Sequence, residues 1–457
     1  MHVPAQVPMN ARPYPPAPRL VPGLGILPLV LSLLLSACTT SAVTPLPATA
    51  PPPVYDYPFA NPWVATVVGT PADQKIVFPD EPRPVRRQLA VFPGRAIPEG
   101  FWYYEALNYS VLLQPGPAPL VFVIAGTGAS DRSRLTTALG HILHAQGMHV
   151  VLLPSPTHAN FIVTASENFL PGLGQQDATD LLRVMHGVKD QLADTIAITG
   201  YGITGYSLGA WHAAFTAEMD SRQPDGFGFD RVLLVNPPVS LYRSIGEIDA
   251  MLLKALPDGA DSIRAFLDKA ISRLTQAYTS TDALDFTSQD LALETYRALK
   301  PSDASLATAI GLSFRLSTMN MIFTSDVMSH AGYIFPADRT FESDTETELY
   351  VGVALRTSFL DYFGDIFSEY YMARTDEWPD REALIAQSSL ESIGGWLSAN
   401  PDAAVVTNAD DVILAEGDLE KLEQLFQGRA TVFPTGGHMG NMQHRAFAAA
   451  VARFFAR

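Results

Sequence analysis

The sequence predicts an α/β protein: a mostly parallel central sheet with helices on both faces and a large helical cap insertion. Three observations carry that prediction. Apolar, β-branched runs such as "APLVFVIAGTG" (118–128) and "HVVLLPSP" alternate with helical stretches, the pattern of a parallel sheet buried on both faces. Between residues 242 and 398, amphipathic helical stretches follow one another without clear intervening strands. The strand pattern then returns in "DAAVVTNADD" and persists to the C-terminus. One sheet interrupted by an insertion explains this order better than three separate domains, and the chain of 457 residues is long enough for its core.

The elements follow in order. "RRQLAVFPG" and "LNYSVLLQPG" read as early strands bounded by Pro and Gly. The run at 118–128 is a buried strand ending in a Gly-Thr-Gly turn. "RLTTALGHILHAQG" has helical spacing and a stop at Gly147. "HVVLLPSP" is a strand, "ATDLLRVMHGVKDQL" a helix, "YGITGYS" a strand, "LGAWHAAFTAEM" a helix and "FDRVLLVNPP" a strand. The insertion holds the helical stretches "IDAMLLKAL", "DSIRAFLDKAISRLTQAY" and "SLATAIGLSFRLSTMNMIF". The final stretch, "GRATVFPTGGHMGNMQHRAFAAAVARFFAR", reads as a strand, a Gly-rich loop and an amphipathic helix.

Before this body lies a different kind of sequence. Residues 24–37, "LGILPLVLSLLLSA", form an apolar run too short for a comfortable membrane span. Arg12 and Arg19 precede it, as in the charged region of a secretory signal. It ends in Leu35-Ser36-Ala37-Cys38, which resembles the lipobox of bacterial lipoproteins. That resemblance implies lipidation of Cys38 and a lipid anchor in the cell envelope. The Thr39 that follows, in place of Asp, leans towards the outer membrane, facing the periplasm or the cell surface. The long Pro-rich start leaves Met9 as an alternative to Met1. Residues 38–58 are small and Pro-rich and read as an extended tether. The divisions are a signal segment (1–37), a tether (38–58), two core parts (59–241 and 399–457) and a cap (242–398).

Bulk composition excludes some functions. A net charge of -17 argues against a nucleic-acid partner, which needs clustered Lys and Arg. With Cys38 as the sole cysteine, no intramolecular disulfide can form. His141, His144 and His149 cluster in sequence, but no acidic residue joins them at ligand spacing, so surface or packing roles are expected and no metal. No cofactor is implied. His158, in a loop after a strand, is a candidate pocket residue.

The chemistry centres on Gly205-Tyr206-Ser207-Leu208-Gly209, a G-x-S-x-G pentapeptide between a strand and a helix. By composition alone roughly 0.1 such matches arise by chance in a chain of this length, so its neighbours must support it. A serine hydroxyl needs an adjacent base, itself oriented by a carboxylate. The strand "AAVVTN" ends in Asp410-Asp411, and "ATVFP" opens into Gly436-Gly437-His438-Met439-Gly440. The order is Ser, Asp, His.

On these motifs ("GYSLGA", "NADDVIL" and "GGHMG") the body from about residue 85 resembles the α/β-hydrolase superfamily, serine esterases and lipases in particular. The resemblance implies Ser207 as nucleophile, His438 as general base and Asp410 as the orienting acid, with Asp411 as the alternative. It implies an oxyanion hole of Leu208 N–H and Thr127 N–H, with Gly128 as the fallback, since "AGTG" stands where relatives often carry His-Gly. Serine as nucleophile argues against the dehalogenase and epoxide-hydrolase branches. The expected substrate is a small-molecule or lipid-like carboxylic ester or thioester, cleaved through an acyl-enzyme. The alternatives are an amidase or peptidase with the same triad, or a non-catalytic binding lipoprotein that keeps the fold; transfer of the acyl group to an alcohol is a weaker idea. The cap stretches "SFRLSTMNMIF" and "YMARTDEW" are candidates to face an acyl chain, with core packing as the default.

Overall fold

The strands are β1 (Val85–Leu89), β2 (Leu107–Leu112), β3 (Ala118–Ile124), β4 (His149–Leu153), β5 (Ile198–Tyr206), β6 (Arg231–Val235), β7 (Ala403–Asn408) and β8 (Ala430–Phe433). The computed structural model describes residues 53–78, 81–256, 259–268, 290–375 and 377–456. The eight strands form one sheet in the order β1-β2-β4-β3-β5-β6-β7-β8. β1, β2 and β4 pair antiparallel, and every pairing from β4 through β8 is parallel. The edge strand β1 is short and carries Arg86 and Arg87, charges that discourage pairing with another chain.

The continuous apolar runs are explained by two buried faces. Leu120, Phe122 and Ile124 of β3 join one core with α4 (Gly174–Leu192) and α5 (Leu208–Asp220). Val121 and Val123, on the alternate positions, join a second core with α2 (Arg134–His144) and the C-terminal helix Arg445–Phe455. With period-2 alternation, a strand covered on both sides must be apolar throughout.

The insertion opens with α6 (Leu241–Leu253) and is dominated by the long helix Asp303–Ser329 packed against it. That helix is long and apolar enough by composition to cross a bilayer. It lies instead within the cap and holds a buried ion pair, Arg315 Nη2 to Asp249 Oδ1 at 2.9 Å. The last part of the stretch assigned to the insertion bonds to core elements. Trp211 Nε1 of α5 donates to Ser388 O at 3.1 Å, Leu390 N donates to Val239 O, and the helix Gly394–Ala399 packs in the core. Of the helical stretch predicted at 261–278, only the first part falls among the described residues.

The N-terminal region differs most from expectation. Cys38, the signal segment and the tether as far as residue 52 lie outside the described residues. The tether does not run free to residue 58. Tyr55 donates through its hydroxyl to Thr435 O, and Asp56 pairs with His444 (3.0 Å) and with Arg445. Tyr57 is buried against Phe59 and His444. These aromatic side chains give the segment an apolar surface that a Pro-rich reading overlooked. A short helix follows, α1 (Pro62–Val68), also absent from the sequence prediction.

Candidate functional site

Ser207 sits between β5 and α5 with φ 55 and ψ -128, a positive φ that a non-glycine residue adopts only under constraint. The constraint is the close approach of the strand and helix on either side. A Cβ on Gly205 would lie 2.2 Å from Gly209 O, and one on Gly209 would lie 2.2 Å from Ile124 O. Only glycine permits that approach. Ser207 N–H donates to Val235 O at 2.9 Å, fixing the turn against β6.

His438 reaches this turn from the loop after β8. Its Nε2 lies 2.9 Å from Ser207 Oγ, and its Nδ1 lies 3.0 Å from Asp411 Oδ1 and 3.1 Å from Oδ2. A carboxylate accepts, so Nδ1 carries the proton and Nε2 is left to accept from the serine hydroxyl. The Asp411 side chain is fully buried. It accepts further from Asn236 Nδ2 at 2.8 Å and from Ile413 N–H at 3.2 Å.

The acid beside the histidine is therefore Asp411, which corrects the preference for Asp410. Asp410 accepts instead from Gly436 N–H (3.2 Å) and Gly437 N–H (2.8 Å). It shapes the loop that carries His438 without touching the imidazole. Burial raises its pKa above the ordinary carboxylate value, although both backbone donors pull the other way.

The same loop is braced from outside by the N-terminal segment. Thr66 Oγ1 of α1 accepts from His438 N–H at 2.9 Å and donates to Pro62 O at 2.7 Å. A Cβ on Gly437 would fall 2.3 Å from Pro62 O, so glycine lets α1 and the loop touch. Asn441 Nδ2 donates to Tyr55 Oη (2.8 Å) and Asn408 Oδ1 (2.7 Å), and Asn408 Nδ2 donates to Gly437 O (2.7 Å). Sequence reasoning missed Thr66, yet a signal was present. Asn61-Pro62 with Gly69 is an N-cap, a first-turn proline and a C-cap glycine.

Above Ser207 and His438 lies a cavity of about 510 Å³, within the range of small-molecule sites. Its walls are mainly apolar, with Val67 from α1, Leu135 from α2, Ile248 from α6, Ile310 and Phe314 from the long cap helix, and Ile413. Thr127 also lines it. Among the described residues, Thr127 N–H has no hydrogen-bond partner, and Leu208 N–H is one of the unpaired donors of the first turn of α5. Gly128 is not an equivalent choice, because its N–H donates to Thr157 Oγ1 at 2.8 Å.

The cap stretches separate. Ser313, Phe314 and Ser317 face the cavity, whereas Tyr371 and Trp378 pack in the core, where the Tyr371 hydroxyl donates to Leu170 O. His158 does not line the cavity; it caps α3 (Ala159–Thr164), its ring accepting from Asn160 N–H at 3.2 Å. His141, His144 and His149 bond to Pro82 O, Leu113 O and Gln114 N–H in turn. Among the described residues no group of three His, Cys, Asp or Glu side chains stands at metal-binding distance.

The strand order and the glycine-flanked serine turn between β5 and α5 together make the α/β-hydrolase fold. No family model matches the sequence, and no curated protein matches it. Solved structures similar to it include a thioesterase domain from the curacin biosynthetic pathway, at 14% identity over 82% of this chain and 100% of that one, TM-score 0.36. Est1E from Butyrivibrio proteoclasticus is 10% identical over 81% of this chain and 97% of its own, TM-score 0.37. A proline iminopeptidase from Mycobacterium smegmatis is 16% identical over 81% and 97%, TM-score 0.35.

Proposed function

We propose that the chain is a serine hydrolase that cleaves a carboxylic ester or thioester through an acyl-enzyme. The observation that supports this most is the relay Asp411–His438–Ser207 at hydrogen-bonding distances of 3.0 and 2.9 Å, ending at a half-buried serine in a strained turn. Nothing in packing alone calls for that combination.

In this reading Ser207 Oγ attacks the acyl carbonyl carbon while His438 Nε2 takes its proton. The carbonyl oxygen becomes an oxyanion that accepts from Thr127 N–H and Leu208 N–H, donors that need no reorganisation. Asp411 keeps the proton on Nδ1 and stabilises the imidazolium as it forms. Collapse of the intermediate breaks the bond to the alkoxy or thiol group, which leaves with the proton from Nε2. Water then attacks the acyl-enzyme with His438 again as base, and Ser207 is regenerated. The apolar cavity suits the acyl part of the substrate.

The expected anchor adds a location. Lipid on Cys38 would hold the body at the bacterial envelope, and Cys38→Ser would release it from membranes into the soluble fraction.

The test of the activity is labelling of the full chain by a fluorophosphonate, beside Ser207→Ala, with esters of increasing acyl length as competitors. Labelling lost in the variant and blocked best by one ester length supports the proposal. A folded wild-type chain that never labels, and cleaves none of the esters, rejects it.

A further inference from the structure

A second cavity, of about 690 Å³, adjoins the Ser207 cavity and shares Arg134 with it as a wall. It runs along α2 past Thr137 and His141 and is closed opposite by Lys75, Phe78 and Gln443. Two cations, Lys75 and Arg134, face it, with the carboxylates of Glu81 in its wall and Asp290 beside Ala72. Among the described residues, neither Lys75 nor Arg134 forms an ion pair, and the Arg134 guanidinium meets only the neutral Gln443 Oε1, at 3.3 Å. Glu81 lines the same cavity but pairs with neither. Elsewhere Arg86, Arg183, Arg243, Arg315 and Lys421 all hold carboxylates.

Lys75 is half-buried and its backbone is held, while Arg134 is exposed and rests against Gln443 and Gly69. Lys75 bridges its backbone to His444, and Ile76 N–H donates to Gln443 O at 2.9 Å. Arg134 lies over Gly69, the C-cap of α1. Burial, and then the charge of Arg134, pull the Lys75 ammonium below its ordinary pKa, against the opposing pull of Asp290. Mutual repulsion in a partly buried place is a cost that an anion between the two groups would remove.

We infer that the substrate is an amphiphilic ester: its apolar acyl part fills the Ser207 cavity, and its remaining part carries an anionic group, a carboxylate or phosphate, bound by Arg134 and Lys75 in the adjoining cavity. The inference rests on the serine-hydrolase reading above and names the class of substrate for that site. Arg134 lines both cavities, and on this proposal one molecule passes beside it from the Ser207 cavity into the second. The same pair disfavours esters with a cationic remainder.

The test uses the full chain and two probes with the same acyl group, 3-hexanoyloxy-4-nitrobenzoate and its neutral methyl ester. Binding is measured by calorimetry on Ser207→Ala, so that it reads the cavities without turnover. The acid is expected to bind about tenfold more tightly than its methyl ester. That margin is expected to shrink when Lys75→Gln or Arg134→Gln is added, and when salt is raised. Lys75→Gln alone serves if the double variant does not fold. Equal binding of acid and ester, or a margin unchanged in both variants, overturns the inference. Turnover of the same probes by the chain with Ser207 intact is read separately. Selective binding of the acid without cleavage of either probe rejects the hydrolase reading and leaves the anion cavity standing.

Discussion

Asp411 Oδ1 lies 3.0 Å from His438 Nδ1, while its neighbour Asp410 turns away to accept from the N–H groups of Gly436 and Gly437. Two adjacent carboxylates at one strand end thus have different tasks. Asp411 sets the tautomer and the orientation of the imidazole. Asp410 folds the loop that brings the imidazole to Ser207.

The division predicts unequal losses. Asp411→Asn is expected to lower kcat by about 10³- to 10⁴-fold, because an amide facing Nδ1 favours the wrong tautomer. Asp410→Asn keeps an acceptor for one glycine N–H and is expected to cost about tenfold, through the loop. Steady-state kinetics on the preferred ester, with unfolding curves for both variants, measure this. A larger loss in Asp410→Asn than in Asp411→Asn would return the role to Asp410.

Thr66 makes a second prediction. Its hydroxyl accepts from His438 N–H at 2.9 Å, so it positions the backbone of the base of the proposed mechanism, and Thr66 also lines the cavity. Thr66→Val keeps the shape and removes the acceptor, leaving a donor unpaired at a cost of roughly 1–3 kcal/mol. The expected result is a fall in kcat of about tenfold with KM little changed, and recovery in Thr66→Ser. A rise in KM with kcat intact would mean that Thr66 acts only as a wall of the cavity.

These two residues also show what the sequence could reveal. The sheet and the Ser207 turn were legible because their signals are local: apolar runs, a G-x-S-x-G between strand and helix, a histidine between glycines. The choice between Asp410 and Asp411 was not, because it depends on the turn after β7, where Asp411 N–H bonds back to Asn408 O and swings one carboxylate inward. Thr66 and Tyr55 were missed for another reason. They act on His438 across more than three hundred residues of chain, and a Pro-rich start drew attention away from the caps of α1. The cap helices were visible, but which of their faces turn toward Ser207 is set by tertiary packing, and among the described residues of the two quoted stretches only Ser313, Phe314 and Ser317 do so.

The docking of the N-terminal segment should depend on pH. Burial lowers the pKa of His444 below its ordinary value, against the opposing pull of Asp56. Its Nδ1 accepts from Ala446 N–H at 3.2 Å and its Nε2 donates to Asp56, a neutral ring in both respects. The unfolded chain takes up the proton near pH 6.5. Between that pH and the lower folded value, the unfolded state binds more protons, so stability rises with pH and falls on acidification. The melting temperature of wild type is expected to drop between about pH 7 and pH 5 by more than that of His444→Asn, which caps the helix without titrating. Parallel curves for the two chains would contradict this.

The cap has its own fastening. Arg315 Nη2 binds Asp249 Oδ1 at 2.9 Å, both side chains being almost fully buried, and Arg315 Nη1 donates to the carbonyls of Leu355 and Arg356. Burial raises the pKa of Asp249, and the guanidinium lowers it again. Arg315→Met leaves that carboxylate without its partner in an apolar setting, at an expected cost of about 3–5 kcal/mol. The double variant Arg315→Met, Asp249→Leu removes both charges and is expected to regain most of the loss. The pair also bears on the site, since Ile248 and Phe314, the residues next to Asp249 and Arg315, line the cavity above Ser207. Loosening it should raise KM for long acyl esters more than it lowers kcat. Thermal unfolding and a KM series over acyl length, run on the single and double variants, measure both effects. A single variant as stable as wild type, with an unaltered KM series, would show that the cap is held by its apolar contacts alone.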